Sequence, residues 1–205
     1  MTAMHLDRPP AEPPSRVSAE RAIDVEEATA AAGDFLTALG MDLEQPGLAD
    51  TPGRMARAYQ DLFTPRAFNF TVFPNDQKYR QLVAEKAIPF HSVCEHHALP
   101  FFGTADVAYL PGENILGLSK LARVVEHFSR QPQVQERLTM QIAAFIETEL
   151  KPQGVGVVLR AEHMCMRLRG VQVIGTETIT SEVRGVLLDN ARARAEFMAL
   201  TRDAR

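Results

Sequence analysis

Both cysteines of the chain stand beside histidines, and that pairing is where chemistry is first legible. Cys94 and His97 lie in S-V-C-E-H-H (Ser92 to His97), two residues apart, so one turn can aim both side chains at a common point. Cys165 closes H-M-C (His163 to Cys165), where the pattern predicts a strand. Alternation along a strand would put His163 and Cys165 on one face. Zinc takes thiolate and imidazole, and a catalytic zinc has three protein ligands with one position left for water. Cys94, His97 and Cys165 make such a set, with His96 and His163 beside it as uncommitted proton carriers. The same residues also fit blander readings: one disulfide with core or surface histidines, or a closed structural zinc site with a fourth His ligand.

A second group of residues suits an anion. Ser119-Lys120 opens a predicted helix on which Lys120, Arg123 and His127 recur at helical spacing, opposite an apolar stripe. Cations near a helix N-terminus favour a polyanion, although on periodicity alone a solvated face explains them better. Gln135 and Glu136 fall in the first turn of the next predicted helix, where the helix dipole by itself accounts for an acidic residue.

These residues need elements to position them. Residues 1–17, with P-P-A-E-P-P and few large apolar side chains, are expected to form a disordered tail. An Ala/Glu-rich helix is predicted from Ser18 to about Leu39, and a second from Asp50-Thr51-Pro52 to about Phe63. Residues 64–84 carry no clear pattern. Strands are predicted over 87–94 and 101–110, and Ser119 is expected to cap a helix burying Leu121, Val124, Val125 and Phe128. A helix from near Pro132 would bury Val134, Leu138, Ile142, Phe145 and Ile146. It is followed by a strand over 154–166, a hairpin over 171–188 and a helix over 189–202. The sum is an α+β protein: a helical region over 18–85, then a domain over 86–205 in which antiparallel strands embrace two helices.

Composition narrows the function classes. A net charge of −4 gives no overall basic field, which argues against a nucleic-acid binder while leaving room for a local basic pocket. No apolar run approaches the roughly 20 residues that span a bilayer. The N-terminus has no apolar core of a secretory signal, so a cytoplasmic protein is expected. With two cysteines in a reducing compartment, metal binding gains weight over a disulfide.

C-E-H-H followed by A-L-P-F-F-G, then G-L-S-K-L-A-R-V-V-E, Q-V-Q-E-R-L-T and H-M-C-M-R-L-R-G-V, together resemble the GTP cyclohydrolase I family, from about Asp50 onward. The resemblance implies the tunnelling fold, with an antiparallel four-stranded sheet and two helices packed on it, and a decamer of two stacked pentamers with sites at subunit junctions. It implies a catalytic Zn²⁺ on Cys94, His97 and Cys165, with GTP as substrate. By the same resemblance Arg54, Lys120, Arg123 and Arg169 hold the triphosphate, Glu136 reads guanine and Gln135 supports that pocket. His163 would protonate the purine ring, and His96 and Ser119 would assist ribose chemistry. The chain departs from the family pattern at Gln131, where a second basic residue is frequent, and in the loop Gln172 to Glu177, which is more apolar and acidic.

Overall fold

The computed structural model describes residues 22–202, so the expected tail and the first residues of the helix expected from Ser18 lie outside the described residues. The chain divides within α2 into two compact units, one through Arg57 and one from Ala58.

In the first unit, α1 (Val25–Ala38) starts later than the Ala/Glu pattern suggested. The Asp24 side chain accepts a hydrogen bond from the Glu27 backbone N–H at 2.9 Å, and this cap defines the first turn. Ala32 and Leu36 supply its buried face. The second helix, α2 (Thr51–Phe63), has the extent expected, with Pro52 near its start.

The second unit is built on a sheet. Its elements in chain order are β1 (Val72–Pro74), β2 (Val83–Cys94), β3 (Pro100–Leu110), β4 (Asn114–Leu116), α3 (Ser119–Ser129), β5 (Pro132–Gln133), α4 (Gln135–Leu150), β6 (Gly154–His163), α5 (Met164–Arg167), β7 (Thr178–Gly185), α6 (Val186–Asp189) and α7 (Ala191–Leu200). Strands β2, β3, β6 and β7 are antiparallel neighbours in that order, and the two-residue β5 pairs parallel to the end of β2. Helix α3 packs on β2, and α4 packs on β6 and β7. The core between them holds Phe90, Phe101, Val107, Leu121, Val124, Val125, Leu138, Ile142, Ile146, Val157 and Leu159. Each large aliphatic side chain fully withdrawn from water contributes about 1.5–3 kcal/mol, which is why the apolar stripes of α3 and α4 lie against the sheet.

Several expectations are corrected. Ser119 is the first helical residue of α3 and not its cap: Leu118 occupies the cap position in a helical conformation, with no side-chain capping bond. The helix expected from Pro132 begins at Gln135, because Pro132-Gln133 continues the sheet as β5. The strand expected to reach residue 166 ends at His163 and turns into the single helical turn α5. The hairpin expected over 171–188 is one strand, β7, preceded by a turn-rich loop and followed by α6.

Strand pairing fixes which residues share the site end of the sheet. Val93 of β2 is opposite Pro100 of β3, and Phe101 of β3 is opposite His163 of β6. The end of β2 and the end of β6 therefore flank the start of β3. Close approach of β3 to β6 is secured by Gly103, where an added Cβ would lie 1.8 Å from the Arg160 carbonyl oxygen. Farther along β2, a bulge between Glu85 and Ile88 puts Ala87 at φ 55°, and its N–H donates to buried Asp106 Oδ1 at 2.8 Å. Arg160 reaches the other oxygen of Asp106 at 2.6 Å.

Candidate active site

The turn between β2 and β3 forms half of the candidate metal centre. The Cys94 carbonyl accepts from the N–H groups of His97 (3.3 Å) and Ala98 (2.9 Å), and Ala98 adopts the left-handed conformation at φ 53°. The Cys94 N–H donates back across the turn to Leu99 O at 2.8 Å. This reversal brings His97 Nδ1 to 3.5 Å from Cys94 Sγ. Tyr59 Oη donates to the Ala98 carbonyl at 2.7 Å and ties the turn to α2.

Cys165 arrives from β6. It sits one residue into the helical turn that begins when β6 ends, so the shared strand face expected for His163 and Cys165 does not exist. The helical turn swings the thiol toward the β2–β3 turn. The ligand atoms of Cys94, His97 and Cys165 all lie within 4.8 Å of one another, the two thiols buried and the imidazole exposed. Two sulfurs and one nitrogen brought together from the β2–β3 turn and from α5, with the imidazole exposed to solvent, fit a zinc site that retains a position for water. Both thiols are free. Burial pushes the Cys165 thiol up, Cys94 adds to this by charge and hydrogen bonding, and the Arg169 guanidinium partly offsets it. A metal binding there must displace that proton.

His163 stands at the last position of β6 with its ring stacked on Phe101, centroids 4.5 Å apart and planes within 4°. Its Nε2 lies 2.8 Å from Gln135 Oε1. Burial lowers the His163 pKa, while the negative charge of nearby Glu136 works in the opposite direction. Glu136 is exposed at the start of α4, one residue after buried Gln135. His96 is exposed beside His97, with ring centroids 6.3 Å apart and Nε2 3.8 Å from Glu95 Oε1. Glu95 is in turn ion-paired with Arg137 of α4, whose Nε donates to Gln133 Oε1 at 2.9 Å.

The remaining residues singled out in the sequence lie elsewhere. Ser119 and Arg123 line a cavity of about 390 Å³ against Phe90 and His91 of β2, together with Arg66 and Arg130. Cys94, His97 and Cys165 do not line it. Glu126 pairs with Arg66 and Arg123 there. Burial pushes the Glu126 carboxyl up, but the hydrogen bonds and charges of the two arginines outweigh it and hold the group below the usual carboxylate range. His91 is lowered by burial and by the charge of Arg130, against an opposing pull from Glu126. Lys120 follows Ser119 in the first turn of α3. Arg54 belongs to the first unit and pairs with Asp50 at 3.2 Å. The structure thus gathers Cys94, His97, Cys165, His163, Gln135, Glu136 and Arg169 in one region and Ser119 and Arg123 in another.

Sequence reasoning missed Arg66, Arg130, Phe101 and the threonines Thr139 and Thr180 that meet Gln135. Arg66 sits in the stretch without pattern. Thr180 is 45 residues from Gln135 and reaches it only through the packing of β7 on α4. No local signal announces such partners.

The sequence model describing GTP cyclohydrolase I matches residues 28–202. Curated relatives named GTP cyclohydrolase 1 are similar along most of their length. The protein of Aquifex aeolicus is 48% identical over 181 residues, covering 88% of this chain and 98% of that protein. That of Clostridioides difficile is 47% identical over 184 residues (87% and 96%). That of Geobacillus kaustophilus is 49% identical over 172 residues (81% and 90%).

Proposed function

The chain belongs to the GTP cyclohydrolase I family and is a hydrolase, and from this premise we propose that it opens the imidazole ring of GTP with zinc held by Cys94, His97 and Cys165. Release of formate and rearrangement of the remainder to 7,8-dihydroneopterin triphosphate complete the reaction. The observation that carries the reading is the convergence of two thiols and one imidazole within 4.8 Å, with His163 at the end of β6, two residues before Cys165 in α5. Zinc in that position would acidify water toward neutral pH and so supply the nucleophile that a weak electrophile such as C8 of guanine requires.

The protein's own groups do the rest. Glu136, exposed at the start of α4, accepts hydrogen bonds from the N1–H and exocyclic amine of guanine; adenine lacks that donor pair and would leave the carboxylate unsatisfied. Its closeness to His163, felt in the His163 pKa, supports placing the base beside that imidazole. His163 delivers a proton to N7 as C8 is attacked, and a second hydrolysis frees C8 as formate. Arg169, whose charge is felt at Cys165, receives part of the triphosphate, and Lys120, Arg123 and Arg54 receive the remainder. Gln135 supports the base pocket. His96 and Ser119 assist the opening and rearrangement of the ribose.

The four antiparallel strands with α3 and α4 packed against them support the tunnelling-fold reading, in which copies of the chain pool their sheets. Separation of the Ser119–Arg123 cavity from the Cys94–His97–Cys165 cluster supports sites at junctions between subunits of a homodecamer. Two free thiols committed to a metal suit the reducing cytoplasm. The test is zinc-loaded protein with GTP, assayed for formate and for a fluorescent pterin after oxidation. Both products are expected from the native protein. His163→Ala should keep zinc and lose both; formate release near the native rate in that variant would remove His163 from the proton transfer.

A further inference from the structure

Gln135 is 2% exposed, and its side-chain amide sits in a hydrogen-bond network with a single consistent arrangement of hydrogens. Its Nε2 faces three acceptors: Thr178 O at 2.9 Å, Thr180 Oγ1 at 3.2 Å and Leu159 O at 3.3 Å. Turning the amide over would set its oxygen against two backbone carbonyls and the Thr180 hydroxyl, whose hydrogen is already given to Thr139. The amine therefore points at β6 and β7, and Oε1 points at His163 Nε2, 2.8 Å away. A carboxamide oxygen only accepts, so His163 Nε2 must carry a hydrogen.

The threonines close the network. Thr139 Oγ1 donates to the Gln135 carbonyl at 2.7 Å, one turn back along α4. That uses the one hydroxyl hydrogen of Thr139, so its 2.6 Å contact with Thr180 Oγ1 is donated by Thr180. Thr180 Oγ1 is left with a lone pair facing Gln135 Nε2, as the amide orientation demands. Phe101, stacked on the imidazole, holds the ring plane. Among the described residues, His163 Nδ1 has no hydrogen-bond partner.

We propose that Gln135, locked by Thr139 and Thr180, is a positioning residue that holds His163 as its Nε2–H tautomer and makes Nδ1 the ring atom that exchanges the proton with substrate. This rests on the reading of His163 as the proton donor. In the forward step imidazolium Nδ1–H breaks, the proton passes to purine N7, and the ring is left as the neutral tautomer that Gln135 accepts from. The other tautomer would set an Nε2 lone pair against the Gln135 oxygen, and the network would resist it. The amide thus acts on the histidine, in addition to any support of the base pocket.

The tautomer is read directly from ¹⁵N–¹H correlation spectra of histidine-labelled, zinc-loaded protein at a pH where the ring is neutral, with His163→Ala to assign the signal. A protonated Nε2 and an unprotonated Nδ1 are expected; a protonated Nδ1 overturns the proposal. Gln135→Leu should lower kcat for formate release by about ten- to a hundredfold, by analogy with the loss of a hydrogen-bond partner that orients a metal-bound imidazole. The loss in kcat should exceed any rise in KM for GTP. A raised KM with native kcat would mean that the amide serves the base alone, and would overturn it. Thr180→Val should show a smaller loss of kcat, and Thr180→Ser, which keeps the hydroxyl, should restore it. Equal activity of these two variants counts against the lock even where Gln135→Leu does not fold. If His163→Ala keeps native formate release, the proton-donor reading fails, while the spectrum still decides the tautomer independently.

Discussion

A thiol buried beside a second thiol holds its proton until something replaces it, and Cys165 is in that condition next to Cys94. A Cys165→Ser variant offers a hydroxyl that neither ionises near neutrality nor suits zinc, so metal analysis should find it empty and the formate assay inactive. Full zinc occupancy would remove Cys165 from the ligand set. Stripping zinc from native protein with a chelator and exposing it to a mild oxidant should consume both thiols as a Cys94–Cys165 disulfide, since the ligand atoms already lie within 4.8 Å. Two free thiols by titration would count against that pairing. Glu136 permits a sharper discrimination. If it only compensates the α4 dipole it is worth about 0.3–1 kcal/mol, and Glu136→Gln should change little. If it reads guanine, glutamine turns one of its two acceptors into a donor facing a donor. GTP turnover should then fall by orders of magnitude, with zinc content and melting temperature near native. Native turnover by Glu136→Gln would exclude the residue from the site.

The elements matter through the distances they impose on these side chains. β3 lies between the strands that end at Cys94 and at His163, so its spacing from β6 controls whether the two halves of the cluster meet. Gly103 sets that spacing. Its substitution by alanine would drive a methyl group into the Arg160 carbonyl, with no side chain able to give way. Gly103→Ala should cost about 3 kcal/mol or more in a chemical-denaturation experiment and weaken zinc retention. Gly156 provides the comparison, because a Cβ there meets the Phe197 ring of α7 at 2.6 Å and not the backbone. Displacing that ring should lower the melting temperature while leaving zinc bound. If Gly103→Ala kept its metal and stability, the close approach of β3 and β6 would have no role in assembling the cluster.

At the scale of the whole molecule, the separation of the two residue groups becomes a statement about assembly. Ser119 and Arg123 share a cavity that the cluster residues do not line. If one subunit brings His163 and its neighbour brings Arg123, two inactive variants should repair each other. Co-assembly of His163→Ala with Arg123→Ala in equal amounts leaves about a quarter of junctions with both native residues, so activity should return to about that fraction of native. Sites complete within one chain would show no recovery. Each variant alone provides the zero, and light scattering of the mixture checks that the particle size is unchanged.

The spacing C-x-x-H was informative in the sequence because a turn of that length can converge its ends whatever surrounds it, and the structure builds that turn between β2 and β3. The apolar stripes of α3 and α4 and the strands near 87–94 and 101–110 were legible for a similar reason: each pattern reports burial of one face, a local property. Where β6 ends was not local. Val155 to Leu159 continue the strand pattern, and the chain turns helical after His163, carrying Cys165 to Cys94 and His97 by a rotation that alternation could not foretell. The partners of Gln135 were out of reach altogether. They come from β6 and β7, joined to α4 by packing across more than twenty residues of sequence, and the hydrogens of that network are directed by carbonyls of the sheet together with the Gln135 carbonyl of α4. Residue types set which side chains could ionise or bind a metal; the sheet decided which nitrogen of His163 faces Gln135.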